Sequence, residues 1–184
     1  MRCIDRAGVS AWAERSGISL DAELYVDYVS EPGFEAFWEG RKAQLLGFAR
    51  MIVEWIPPSS EKMLIISPIL AYPPDKGFII GRIRGDSSIG ADLEDYPGII
   101  MRPTRILGED YQGRSKEDID EESTLVWLIY FLMFFAWGGD LLSNGSTQAV
   151  KFGDGFCAFH SDSVEEIREI KESAASFGFE LREF

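Results

Sequence analysis

Carboxylate side chains are the most numerous groups in this sequence that can do chemistry, and many of them are clustered. Residues 85–122 hold eleven acidic residues against four basic ones, so this segment carries about −7 of the formal net charge of −13. Clustered carboxylates can attract a basic protein, bind a hard cation such as Mg²⁺ or simply form a solvated surface. The acidic residues are Asp86, Asp92, Glu94, Asp95, Glu109, Asp110, Glu117, Asp118, Asp120, Glu121 and Glu122.

Nucleophilic catalysis and zinc chemistry find little support in the sequence. The single histidine, His160, ends a predicted strand, and we interpret it as a structural or surface residue. The segment GDSSIG at 85–90 lies in a predicted loop and is not the strand-turn-helix motif of a serine hydrolase. One histidine and two distant cysteines, Cys3 and Cys157, cannot form a closed zinc site. We therefore predict no catalytic residue, no metal and no cofactor.

Three further patterns suggest a ligand, and each has a plainer interpretation. Residues 153–158 fit the spacing GxGxxA, but a dinucleotide site needs a helix to start there, and a strand is predicted instead. Residues 169–171 resemble the E-x-K element of metal-dependent nucleases, with Asp154 as a distant partner, but a helix turns positions two apart to different faces. Four tryptophans on predicted helices indicate core, or else an aromatic-lined groove: Trp38, Trp55, Trp127 and Trp137.

Composition limits the class of protein. A chain of 184 residues that is 46% hydrophobic can bury one sizeable core, so we predict one domain, 1–184, with residues 1–112 and 113–184 as alternative sub-lobes. The net charge of −13 argues against nucleic acid or an anionic membrane as a direct partner. Two cysteines far apart and an N-terminus without an apolar segment favour a reducing cytoplasm.

The elements that must position these groups are organised around residues 123–139, an uncharged segment that we predict to be a central apolar helix over about 123–137. Acidic residues precede it, where the helix dipole favours them, and Gly138 and Gly139 are predicted to end it. A helix that is apolar on every side must be enclosed on most sides. Its apolar surface is also large enough to support a homodimer.

The rest of the sequence reads as a mixture of strands and helices. Before the central helix we predict a short helix over 10–15, a strand over 22–29 and an amphipathic helix over 32–56 that ends at Pro57. Strands at 63–71 and 77–84 are predicted to be antiparallel neighbours, and a short strand follows within 97–103. After the central helix, a hairpin over 148–160, a helix capped by Ser163 and a last strand over 179–184 form a β-β-α-β unit. The fold class is therefore α+β, with a mostly antiparallel sheet against the central helix and two amphipathic helices.

Two functions from different classes fit these observations. The first is a non-enzymatic acidic protein that neutralises a basic protein partner, such as a toxin or nuclease, in the manner of an immunity protein or antitoxin. The alternative is a small metal-assisted hydrolase or ligand-binding enzyme that uses carboxylates of the same acidic loops. For the first function the predicted contacts are Asp92, Glu94, Asp95, Tyr96, Glu109, Asp110, Tyr111, Asp118 and Asp120.

Overall fold

In the part of the chain that the structure describes, eight antiparallel strands form one sheet, in the spatial order β1-β4-β3-β5-β6-β7-β2-β8. The computed structural model describes residues 1–28, 33–38, 40–66, 97–103 and 116–184, of which 116–120 are described by their backbone only. The strands are β1 (Arg2–Ile4), β2 (Gly33–Phe37), β3 (Lys62–Ile66), β4 (Gly98–Met101), β5 (Gly139–Ser143), β6 (Ala149–Phe152), β7 (Phe156–His160) and β8 (Glu180–Glu183). The predicted α+β class with an antiparallel sheet is confirmed.

Helices cover both faces of the sheet. On one face lie α2 (Leu45–Trp55), α3 (Lys116–Phe134) and α4 (Val164–Ala175), and their apolar residues join those of the strands in the larger core. On the other face, α1 (Arg6–Arg15) and the segment 18–28 cover a smaller core that contains Met63, Ile65 and Leu142. Alternate residues of one strand serve different cores, as the two-residue period of a strand requires.

The sheet joins strands from both parts of the chain. β3 pairs with β5, and β2 is inserted between β7 and β8. The division into sub-lobes at residue 112 remains a prediction, because it lies outside the described residues. The same is true of the predicted strand at 77–84 and of the part of the 63–71 strand beyond Ile66. Within the described part of the chain, no helix combines the length and the apolar character needed to cross a bilayer.

Several predicted elements are confirmed by local chemistry. Pro57 follows the extended residue Ile56 and ends α2. Gly155 has φ of 81° in the turn between β6 and β7, and a strand follows it as predicted, so the GxGxxA pattern belongs to a hairpin. Ser163 caps α4 by accepting a hydrogen bond from the backbone of Glu166. The strand within 97–103 is also present, as β4.

The predicted helix over 32–56 is wrong in its first part. Residues Gly33–Phe37 form β2, and the helix begins only at Leu45, after a 3₁₀ turn at Lys42–Gln44. Phe34 and Trp38 satisfy a helical spacing, but Phe34 and Ala36 also alternate as a strand does. Pairing on both sides, with β7 and with β8, decides the matter in favour of the strand.

The predicted strand over 22–29 is also wrong for its described residues. Leu24 has φ of 66°, a left-handed conformation that interrupts any strand. The carboxylate of Asp21 accepts hydrogen bonds of 2.9 Å from the backbone of Glu23 and of Tyr25, which closes a turn. Up to Tyr28, where the described part of this segment stops, the only strand-like pairing is an isolated bridge between Leu20 and Val26.

Three helix predictions need smaller corrections. The first helix begins at Arg6 with Asp5 as its cap, not at Ser10. The central helix, α3, spans Lys116–Phe134 and ends before Trp137. In α4, helical spacing predicts a buried stripe of Val164, Ile167, Ile170 and Ala174. The last three are buried, but Val164 is 69% exposed because it occupies the first turn.

Candidate protein-binding surface

The outer side of α3 is aromatic. Trp127, Tyr130, Phe131 and Phe134 follow one another at steps of three, one and three residues, which brings them to one face of a helix. We call these four residues the aromatic ridge. The neighbouring aliphatic residues of α3 lie on the opposite side of the helix and are buried in the larger core: Leu125, Val126, Leu128, Ile129, Leu132 and Met133. α3 therefore has two apolar faces. The inner one is enclosed, and the outer one is partly covered, because Tyr130 and Phe134 also pack against the larger core.

The ridge is exposed mainly at Trp127. Trp127 is 49% exposed, and Phe135, just beyond the end of α3, is 40% exposed. Tyr130, Phe131 and Phe134 are half-buried. Contiguous exposed aromatic surface is uncommon in monomeric proteins and is enriched where proteins bind one another.

Contacts between the rings hold the ridge in place. The centroids of Trp127 and Tyr130 are 5.6 Å apart in an edge-on arrangement, and those of Tyr130 and Phe134 are 5.5 Å apart. Phe131 lies 6.0 Å from Trp127. Because neighbouring rings restrict one another, the ridge loses little conformational freedom when a partner covers it.

A cation already rests on one end of the ridge. The ammonium of Lys42 lies 4.7 Å from the centroid of the Phe134 ring and donates a 3.3 Å hydrogen bond to the Phe134 carbonyl. The ring face attracts the charge, and the carboxyl end of a helix adds to the attraction. The aromatic surface can thus accommodate a basic side chain.

A cleft of about 300 Å³ between α2 and α3 adjoins the ridge, with Trp127 in its wall. We call it the α2–α3 cleft. Its apolar lining includes Val53 and the 37%-exposed Leu46. Its polar lining holds two carboxylates, Glu54 and Glu122, against one guanidinium, Arg50. An apolar surface with an acidic border suits a segment that is both apolar and basic.

Most of the predicted contact residues lie outside the described residues. This group comprises Asp92, Glu94, Asp95, Tyr96, Glu109, Asp110 and Tyr111. Asp118 and Asp120 lie in the first turns of α3, where the backbone alone is described. The acidic turns of this helix therefore lead along the same helix towards Trp127.

The sequence leaves an aromatic-lined groove open for Trp127 but does not identify the ridge. Trp38 and Trp137 are buried as expected of core residues, although neither lies within a helix, whereas Trp127 is half exposed. The signal was available, because the aromatic residues of the central helix share one face and its aliphatic residues share the other. The prediction of a helix that is apolar on every side does not distinguish its aromatic face from its aliphatic face.

No protein-family model, curated protein or solved structure matches this chain. The function must therefore be inferred from the residues themselves.

A second group of interacting polar residues lies on the opposite face of the sheet. The Tyr28 hydroxyl donates a 2.5 Å hydrogen bond to Asp140 on β5, and the Tyr28 ring stacks on His160 at 4.0 Å. Burial raises the pKa of Asp140 to about 6, although the Tyr28 hydrogen bond and the charge of Lys151 partly oppose this shift. The Phe184 ring lies 5.2 Å from His160 on β7.

A carboxyl group with a pKa near neutrality can act in acid–base catalysis, provided that a substrate can reach it. Here Asp140 and His160 are each only 6% exposed. A cleft of about 450 Å³ nearby is lined by Tyr28, but neither Asp140 nor His160 contributes to its wall. The cluster instead joins the segment 18–28 to the sheet, which is a structural role.

Metal-assisted chemistry receives no support from the described residues. Within the ranges that the structure describes, no three histidine, cysteine or acidic side chains come together to hold a metal ion. In the E-x-K segment, Glu169 and Lys171 both lie on α4, and Lys171 forms an ion pair with Glu183 of β8. The carboxylates on which the hydrolase alternative depends lie mostly outside the described residues.

Proposed function

We propose that this protein is a non-enzymatic binding protein that neutralises a basic protein partner, in the manner of an immunity protein or antitoxin. The observation that carries the proposal is the continuity of the exposed aromatic ridge with an acid-lined cleft, on a chain with a net charge of −13. Aromatic anchors contribute most of the affinity in protein interfaces, while charge contributes mainly to encounter rate and selectivity.

The electrostatic part of the proposal concerns how the partner is found. A field of one sign accelerates association with an oppositely charged protein, and salt weakens the effect. Like charge on other proteins disfavours the wrong complexes. An inhibitor that must act at once on a toxic protein benefits from both effects.

The aromatic part concerns how the partner is held. Trp127 is the candidate central anchor, because it belongs both to the aromatic ridge and to the α2–α3 cleft. Glu54 and Glu122 border it and can receive basic side chains. We place the protein in a reducing cytoplasm, which suits a chain whose two cysteines, Cys3 and Cys157, lie far apart in the sequence.

The test begins with capture of a partner by the full-length tagged protein from its own source, with washes at low and at high salt. The identified partner is then purified, and association rates are measured with two triple variants of equal net charge. One variant neutralises the predicted acidic contacts: Asp92→Asn, Glu94→Gln and Asp95→Asn. The matched control neutralises three exposed acids of α1 and the segment around residues 18–28, on the face of the sheet opposite α3: Glu14→Gln, Glu23→Gln and Asp27→Asn.

We expect the first variant to associate about tenfold more slowly at low salt and to show a weaker salt dependence. The control variant should associate at nearly the rate of the unmodified protein, because it keeps the predicted acidic contacts although its net charge equals that of the first variant. Equal rates for the two variants would mean that this acidic segment is not the docking surface. Failure to capture any basic protein at low salt would contradict the proposed function itself.

A further inference from the structure

We infer that the partner presents an amphipathic helix, whose apolar stripe packs on the aromatic ridge and whose lysine or arginine residues lie over the ring faces and the carboxylates of the α2–α3 cleft. This inference rests on the proposed function and specifies the kind of element that the surface receives.

The spacing of the ridge favours a helix. Its four residues extend over two turns of α3, about 10 Å along the helix axis. Side chains spaced in this way interlock with the same spacing on a second helix. The backbone groups within α3 are bonded inside the helix, so this surface cannot bind an extended segment by strand addition. The ridge and the adjoining cleft together form the kind of groove in which a helix binds.

The charges favour a basic occupant over a second copy of this chain. Two copies would bring together two molecules that each carry a net charge of −13. A basic helix would instead place its cations beside Glu54 and Glu122. The contact between Lys42 and the Phe134 ring shows the geometry in which such a cation can rest on an aromatic face. Trp127, with 49% of its surface exposed, offers a larger ring for the same contact.

Three labelled synthetic peptides of equal length test the inference by fluorescence anisotropy with the purified full-length protein. The first has leucines at helical spacing flanked by arginines. The second keeps the leucines and replaces every arginine by glutamate. The third keeps the composition of the first but scrambles the leucines, so that no apolar stripe forms. We expect the first peptide to bind at least about tenfold more tightly than either of the others.

Variants of the protein then assign the binding site. Trp127→Ala with Phe131→Ala should weaken binding of the first peptide about tenfold or more. Tyr25→Ala is the matched control, because Tyr25 is a 38%-exposed aromatic residue in the segment that covers the opposite face of the sheet. Trp127→Phe should retain most of the affinity. If the double alanine variant fails to fold by circular dichroism, the comparison of arginine and glutamate peptides still tests the inference.

Several results would overturn the inference. Equal binding of the first and third peptides would mean that charge alone acts and that the ridge is unused. If sedimentation shows that the unmodified protein is a dimer and that the double alanine variant is a monomer, the ridge is an interface between two copies of this chain. If a captured basic partner binds in a salt-dependent manner while no helical peptide does, the inference fails and the proposed function stands. If neither a partner nor a peptide binds, both fail.

Discussion

The hydroxyl of Tyr28 donates a 2.5 Å hydrogen bond to Oδ1 of Asp140, 112 residues further along the chain. Tyr28 ends the described part of the segment that covers the smaller core, and Asp140 lies on β5 opposite Lys151 of β6. Burial, together with the nearby Asp140 carboxylate, also raises the pKa of Tyr28 well above its usual value. The bond therefore ties a loop without regular structure to the sheet, at the expense of burying a carboxylate.

Replacement of Asp140 by asparagine should change how stability depends on pH. Because the pKa of Asp140 is raised from 3.8 to about 6 in the folded protein, the folded state retains a proton that the unfolded state has lost. The contribution of the Asp140 carboxyl group to the free energy of unfolding is greatest below about pH 4, and it is lost as the pH rises through about 6. A shift of this size corresponds to about 3 kcal/mol. Asparagine carries no charge and removes this dependence.

The measurement is urea unfolding of the unmodified protein and of Asp140→Asn between pH 4 and pH 8. As the pH rises from 4 to 8, the free energy of unfolding of the variant should increase by up to about 3 kcal/mol relative to that of the unmodified protein. Asp27→Asn is the control, since Asp27 is exposed in the same segment, and its curve should parallel that of the unmodified protein. Parallel curves for Asp140→Asn as well would contradict the buried carboxyl as the source of the pH dependence.

Replacement of Tyr28 by phenylalanine should be most costly at alkaline pH. The variant keeps the ring that stacks on His160 but removes the donor to Asp140. At pH 8 a buried carboxylate then loses its hydrogen bond, which costs about 2–3 kcal/mol. At pH 4 the carboxyl is protonated and the cost should be smaller. Tyr25→Phe, at an exposed position, is the control and should change the free energy of unfolding little at either pH. An equal loss of stability for Tyr28→Phe at pH 4 and at pH 8 would argue against this explanation.

Glycine at position 136 should stabilise the protein. Ala136, two residues beyond the end of α3, has φ of 54°, and Trp137 donates a 2.8 Å hydrogen bond to the carbonyl of Leu132. This is the pattern of a Schellman motif, which usually carries glycine at the left-handed position. Ala136→Gly should raise the free energy of unfolding by about 1 kcal/mol, because left-handed backbone costs alanine about that much.

Gly139→Ala provides the contrast to Ala136→Gly. A Cβ atom at position 139 would lie 2.5 Å from the carbonyl oxygen of Ile65, so this substitution should destabilise the pairing of β5 with β3. Thermal unfolding of both variants compares the two glycine positions directly. Destabilisation by Ala136→Gly would show that the left-handed residue is not under strain.

Substitutions on the two faces of α3 should separate binding from stability. Trp127→Ala removes a half-exposed ring and should lower the free energy of unfolding by only about 1 kcal/mol. Ile129→Ala opens a cavity in the larger core and should cost about 2–5 kcal/mol. Chemical unfolding of both variants at one pH makes the comparison. If Trp127→Ala were as costly as Ile129→Ala, the ridge would be part of the core rather than a surface for a partner.

Prediction from sequence succeeded where the decisive contacts are close together along the chain. The turn at Gly155 and the cap at Ser163 depend on a few neighbouring residues, and so does the end of α2 before Pro57. The α+β class followed from the number and spacing of such elements. For the candidate site, the sequence indicated an acidic protein and an apolar helix, but not which face of that helix is exposed.

The amino-acid sequence by itself determined the local elements and the acidic character of this protein, because hydrogen bonds and steric limits within a few residues are sufficient for both. The tertiary structure alone decided that Gly33–Phe37 is a strand, since its conformation depends on distant partners in β7 and β8. It also decided that Leu24 interrupts a strand pattern and that Trp127 faces outward. Burial is a property of what covers a residue, and covering elements come from remote parts of the chain.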